Sequence, residues 1–102
     1  LGSTGLGHGI AIPHVKFKEL KNIVCLFARL DTPIEFDSHD NEPVDLIFLL
    51  LAPEHASGDH LKALARISRL VREPQTLERL RSAESAEVLR SVLASSTTSH
   101  AA

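Results

Sequence analysis

"VDLIFLLLA", residues 44–52, is apolar at every position except Asp45. A run of this length without alternation reads as a central strand covered on both faces rather than an amphipathic edge strand. The following Pro53 closes it, because proline cannot donate to a ladder. A central strand needs neighbours and covering layers. The strands visible in the chain are few, so secondary structure is expected to precede Leu1.

Toward the N-terminus the next strand is "NIVCLFARL" (22–30), rich in branched and aromatic residues. Between the two lies the turn-rich "TPIEFDSHDNEP" (32–43), with a short edge strand expected over 34–36. "IAI" (10–12) reads as a short strand ended by Pro13. Residues 1–9 hold four of the five glycines and read as loop.

Past Ser57 the hydrophobic period changes from strand to helix. His60, Ala63, Leu64, Ile67, Leu70 and Val71 form one helical stripe, with Lys62, Arg66, Arg69 and Glu73 opposite. Ser57 or Asp59 can cap its start. Pro74 stops this helix and suits the first turn of the next, "PQTLERLRS". Ser82 or Ser85 then opens a last helix, "AEVLRSVLA". Residues 95–102, "SSTTSHAA", have the composition of a disordered tail. The expected organisation is one α/β (α+β) domain over 1–94, a mixed β-sheet flanked by helices.

Composition narrows the function. A net charge of −2 over 102 residues, with 24% charged, gives no general case for nucleic acid or an anionic membrane as partner. The basic stripe of Lys62, Arg66 and Arg69 reads as a solvated helix face, since stacking aromatics are scarce. From 31 to 61 there is no Lys or Arg, while acidic residues accumulate; this reads as a solvated acidic loop region, with a docking surface for a basic partner as the lesser alternative. Cys25 is the one cysteine, set in a strand pattern that predicts a buried, inert thiol and a reducing, cytoplasmic setting. No apolar run reaches the ~20 residues of a membrane span.

Gly5, Gly7 and Gly9 alternate without a following Lys, and the segment runs from loop into strand, so nucleotide-binding motifs do not fit. The glycines still allow backbone N–H groups near Gly7, His8 and Gly9 to approach an anion, with the Ser3 and Thr4 hydroxyls close in sequence. The six histidines are irregularly spaced, which argues against a metal centre. No cofactor or metal is expected. His14 and His60 differ from the rest in being constrained. Pro13 fixes the backbone before His14, and His60 heads the helix stripe in its first turn. A neutral imidazole is a competent nucleophile near neutral pH, a second one can donate beside an anion, and a helix N-terminus adds partial positive charge. Together these suit a phosphoryl group.

"LGSTGLGHGIAIPH", followed by "TPIEFDSHDNEPVDLIFLLLAPE" and "DHLKALARISRL", resembles the enzyme IIA domains of the fructose–mannitol class of the bacterial phosphoenolpyruvate phosphotransferase system. Within that class the likeness is strongest to the nitrogen-regulatory branch, and it covers about residues 1–93. The resemblance implies that His14 accepts a phosphoryl group from the phosphohistidine of an HPr-like carrier, with His60 beside it holding phosphoryl oxygens. It implies as onward partners regulated target proteins or, in the sugar-transport branch, a IIB domain. A binding module with vestigial transfer is the further alternative. The family's N-terminal helices, a strand and an arginine upstream of the "S-T-G" loop would all precede Leu1. Val15 stands where members often carry glycine, and His8 where they often carry asparagine.

Overall fold

The computed structural model describes residues 5–35, 40–55 and 58–101. Five strands, β1 (Gly5–Gly7), β2 (Ile10–Ala11), β3 (His14–Phe17), β4 (Val24–Ile34) and β5 (Val44–Pro53), precede three helices, α1 (Asp59–Leu70), α2 (Pro74–Ser82) and α3 (Ala86–Ala101). The strands form one mixed sheet, giving the α/β class expected from the sequence. The chain divides into two compact units, Leu1–Lys62 with the sheet and Ala63–Ala102 with most of the helical residues.

The sheet is organised around β5. On one side β2 and β3 run parallel to it, and on the other β4 runs antiparallel, while β1 pairs beyond β2. β2 and β3 are one interrupted strand. Pro13 lacks an N–H, yet its carbonyl accepts from the Leu50 N–H at 2.9 Å, so the ladder continues past it. The strand therefore does not end at Pro13, as the sequence suggested, but resumes at His14. β4 likewise runs through Pro33 to Ile34, with a register irregularity after Arg29. Among the described residues β4 pairs only with β5, and proline is tolerated on such an edge.

Burial along β5 alternates. Val44, Leu46, Phe48, Leu50 and Ala52 are at most 2% exposed, whereas Ile47, Leu49 and Leu51 are half-buried. The expectation of a strand fully covered on both faces is thus corrected. Paired residues share a face, so Leu49 and Leu51 lie with their partners Leu26, Val24 and Val15. Those three are 52%, 38% and 41% exposed, which leaves this second apolar face partly open among the described residues. On the first face Phe27 packs against Phe48, its cross-strand partner, with ring centroids 4.9 Å apart. Cys25 shares that face opposite Leu50, but it sits on the edge strand and is exposed rather than buried.

In the helical unit, Ile67, Leu70 and Val71 are buried, as the stripe predicts, together with Leu80, Ala83 and Thr76. Pro74 is the first residue of α2, where its missing N–H costs nothing; Glu73 precedes it without a side-chain cap. Ser85 caps α3, its Oγ accepting from the Val88 N–H at 3.2 Å. α3 continues to Ala101 and so includes residues 95–101, a span that composition assigns to a disordered tail. Extending an existing helix adds a hydrogen bond per residue without a new nucleus, so weakly biased sequence can be carried along. No helix among the described residues is long and apolar enough to cross a membrane.

Candidate functional site

His14 opens β3 directly after the interruption at Pro13 and stands opposite Leu50. Its side chain is half-buried, on the sheet face that buries Leu50. Nδ1 lies 3.5 Å from the Ile12 carbonyl oxygen. A carbonyl can only accept, so this contact favours the tautomer with hydrogen on Nδ1. The lone pair then resides on Nε2, the ring nitrogen farther from the backbone.

His60 is the second residue of α1, whose twelve residues begin at Asp59. β5 ends at Pro53, opposite Phe17, and the Glu54 N–H donates to the Phe17 carbonyl at 3.0 Å. The His14–Leu50 pair is three positions before that end, and the chain then crosses residues 54–58 into α1. His14 therefore lies toward the carboxyl end of the central strand, the end at which α/β sheets hold ligands, and His60 follows the last residue of β5 by seven positions in sequence. The first turn of α1, like that of any helix, has backbone N–H groups without intrahelical partners and a partial positive charge. Ser57, considered as its cap, lies outside the described residues, and Asp59 is itself the first helical residue.

Gly7, His8 and Gly9 are not at this end. They form the hairpin turn between β1 and β2, with Gly7 opposite Ile10 and Gly5 opposite Ala11. The Gly9 carbonyl accepts from both the Asp45 and Leu46 N–H groups at 3.0 Å, which fixes it beside the amino end of β5. At about 3.3 Å per residue, Gly9 lies roughly 16 Å along the strand from His14. Gly7, His8 and Gly9, which the sequence suggests as phosphoryl-binding residues, thus make a turn at the other end of the strand from His14. Positive φ at both central residues, 57° at His8 and 79° at Gly9, is what a type I′ hairpin requires. Asn-Gly is favoured there, which explains why asparagine suits position 8. The spacing of glycines cannot by itself say which end of a hairpin they occupy. Ser3 and Thr4 lie outside the described residues.

The turn has a partner that the sequence did not single out. The Asp40 carboxylate accepts from the His8 N–H at 2.9 Å through Oδ2 and from the Glu42 N–H at 3.1 Å through Oδ1. The second bond is an Asx-type local contact; the adjacent Asn41 takes φ 62°. The cue available in the sequence was the Asp-Asn turn pair, which marks a turn but not what it grips. Of the remaining histidines, His8 and His55 are exposed, His39 lies outside the described residues and His100 falls in α3. Among the described residues no three His, Cys, Asp or Glu side chains are placed to hold a metal ion.

Residues 1–96 match the family described as phosphoenolpyruvate-dependent sugar phosphotransferase system, EIIA 2. The chain is 57% identical over 94 residues to a nitrogen regulatory protein of Bradyrhizobium diazoefficiens, covering 92% of this chain and 61% of that one. It is 38% identical over 92 residues to a fructose-specific EIIA component of Haloferax volcanii, covering 90% and 60%. In structure it is similar to the nitrogen regulatory protein IIA-Ntr of Neisseria meningitidis, with a TM-score of 0.84 and 42% identity over 90% of this chain and 63% of that chain. The chain thus spans about three-fifths of the length of these relatives. By the extent of these matches, the chain belongs to the EIIA 2 family of the phosphoenolpyruvate-dependent sugar phosphotransferase system.

Proposed function

We propose that the protein is a phosphohistidine carrier of the regulatory, nitrogen type, in which His14 accepts a phosphoryl group from an HPr-like donor. The observation that carries the reading is the setting of His14, with Nδ1 turned to the Ile12 carbonyl and the ring at the carboxyl end of the central strand. The Nε2 lone pair attacks the phosphorus of the donor's phosphohistidine in line. The donor's P–N bond breaks, and its imidazole, protonated on the other nitrogen, leaves neutral. The new N–P bond leaves His14 a phosphoimidazolium whose Nδ1–H keeps its carbonyl acceptor. Such a transfer needs positioning and charge stabilisation rather than elaborate covalent machinery.

His60, the Ser3 and Thr4 hydroxyls and the first-turn amides of α1 are the groups proposed to steady the phosphoryl oxygens. Regulation would follow from the roughly −1.5 to −2 charge that the phosphoryl group adds at the sheet end, changing which cytoplasmic proteins bind there. The nitrogen-type reading is supported by the higher identity to the nitrogen regulatory relative, 57% against 38% for the fructose-specific component. The test is incubation with a phosphorylated HPr-like carrier, followed by intact mass. An acid-labile phosphate on the wild type that disappears in His14→Ala supports the reading; equal labelling of both removes it. Onward transfer to an added IIB domain would instead favour the sugar-transport branch.

A further inference from the structure

We infer that Asp40 is a positioning residue for phosphoryl transfer at His14, acting through the β1–β2 turn; the inference rests on the phosphocarrier reading above. Asp40 joins two parts of the sheet unit that are far apart in sequence. Through Oδ2 it holds the His8 N–H at 2.9 Å, and through Oδ1 it holds the Glu42 N–H at 3.1 Å, just before β5 begins. The turn is pressed against the carboxylate: a Cβ added to Gly7 would lie 3.1 Å from Oδ2 and 3.3 Å from Cγ. On the other flank, the Gly9 carbonyl takes both the Asp45 and Leu46 N–H groups. The carboxylate and this double acceptor together fix the hairpin against the amino end of β5.

The consequence reaches His14 along the two strands that leave the turn. β2 leads from Gly9 through Ile10 and Ala11 to Ile12, whose carbonyl faces Nδ1 of His14. β1 pairs with β2 from Gly5 opposite Ala11, so the entry end of β1 is the end nearer His14. β1 is three residues long and its pairing shifts register between Gly5 and Gly7. A short strand with an irregular ladder specifies its register weakly, and an anchor at the turn supplies what the ladder lacks. A charged acceptor suits this task because charge-assisted hydrogen bonds are about twice as strong as neutral ones. Asp40 therefore sets where β1 lies beside the phosphoryl-accepting strand while remaining remote from the reacting nitrogen.

The test compares wild type, Asp40→Ala and Asp40→Asn in transfer from the phosphorylated HPr-like carrier, at a temperature where each is folded by circular dichroism. Displacements of about 1 Å far from the chemistry can cost up to 10²-fold, so Asp40→Ala is expected to slow transfer roughly 10-fold. Asp40→Asn keeps one neutral acceptor and should fall between the two. The His8 amide proton resonance gives the signature of the contact, moving upfield in Asp40→Asn and further in Asp40→Ala. Should Asp40→Ala not fold, Asp40→Asn carries the same comparison. An unmoved His8 resonance overturns the proposal, as do variants that melt earlier yet transfer at the wild-type rate, since Asp40 would then be structural only. A wild type that takes no phosphate removes the carrier reading and this role together. A labelled wild type with equally fast variants removes only the role of Asp40.

Discussion

His14 and Leu50 are cross-strand neighbours in the parallel ladder of β3 and β5, and Leu50 is 1% exposed. The half-buried imidazole thus stands beside a fully buried aliphatic side chain on one sheet face. Truncating Leu50→Ala leaves a cavity under the histidine and should cost about 2–5 kcal/mol in denaturant unfolding. The same variant should label more slowly with phosphate at temperatures where it is folded, because the ring loses the wall that orients it. Wild-type stability in Leu50→Ala would show that this face collapses to fill the space.

His60 stands in the first turn of α1 and is proposed above to steady the phosphoryl group on His14. Loss of one preorganised donor to a developing anion typically costs about 10²-fold, so His60→Ala should slow phosphorylation of His14 by about that factor. His60→Gln, which keeps a donor, should recover part of it. Rapid-quench labelling measures both rates. Wild-type rates and phosphoprotein lifetime in His60→Ala would leave this histidine no part in the transfer.

Gly7 has φ 90°, in the left-handed half of the map, and Asp40 lies where its Cβ would go. Gly7→Ala combines backbone strain of about 1–3 kcal/mol with displacement of the carboxylate. Gly58 offers the contrast, since a Cβ there meets nothing within 4 Å. Gly58→Ala should be neutral or stabilising by up to about 1 kcal/mol. Thermal melts of the two variants suffice, and equal shifts would contradict the geometry of the turn.

What the sequence makes legible here is local. The apolar run of β5, the Pro74 start of α2, the Ser85 cap and the stripe of Ile67, Leu70 and Val71 all follow from neighbours within a few residues. The long-range pairings do not. Pro13 looked like a strand end because its missing N–H is visible in sequence, whereas the Leu50 N–H that uses its carbonyl is 37 positions away. Likewise, glycines near a histidine in sequence suggest an anion-binding loop beside it. The register with β5 instead sends Gly9 to Asp45 and Leu46, and His14 to Leu50. Sequence proximity along an extended strand converts to distance, about 3.3 Å per residue, so the five positions from Gly9 to His14 set the two roughly 16 Å apart. Pro13 constrains His14 locally, and that constraint is what makes this histidine a candidate in the sequence.

Cys25 yields the last prediction. It is exposed on the edge strand β4, and partial desolvation of its sulfur by the surrounding strands pushes its pKa above the ordinary cysteine value. The nucleophile is the thiolate, so alkylation near neutral pH should be slower than for a cysteine in an unstructured peptide. The sign for stability follows from the direction of the shift. A pKa raised on folding means the native state holds its proton longer than the unfolded state does. The stabilising contribution is therefore fully present below the unfolded pKa, and it is lost as pH rises through the folded value. From about pH 8.5 upward, wild type should lose stability relative to its own value at pH 7 faster than Cys25→Ser does. Parallel curves for the two proteins, or alkylation as fast as in the peptide, would show that the apolar strands do not desolvate the sulfur.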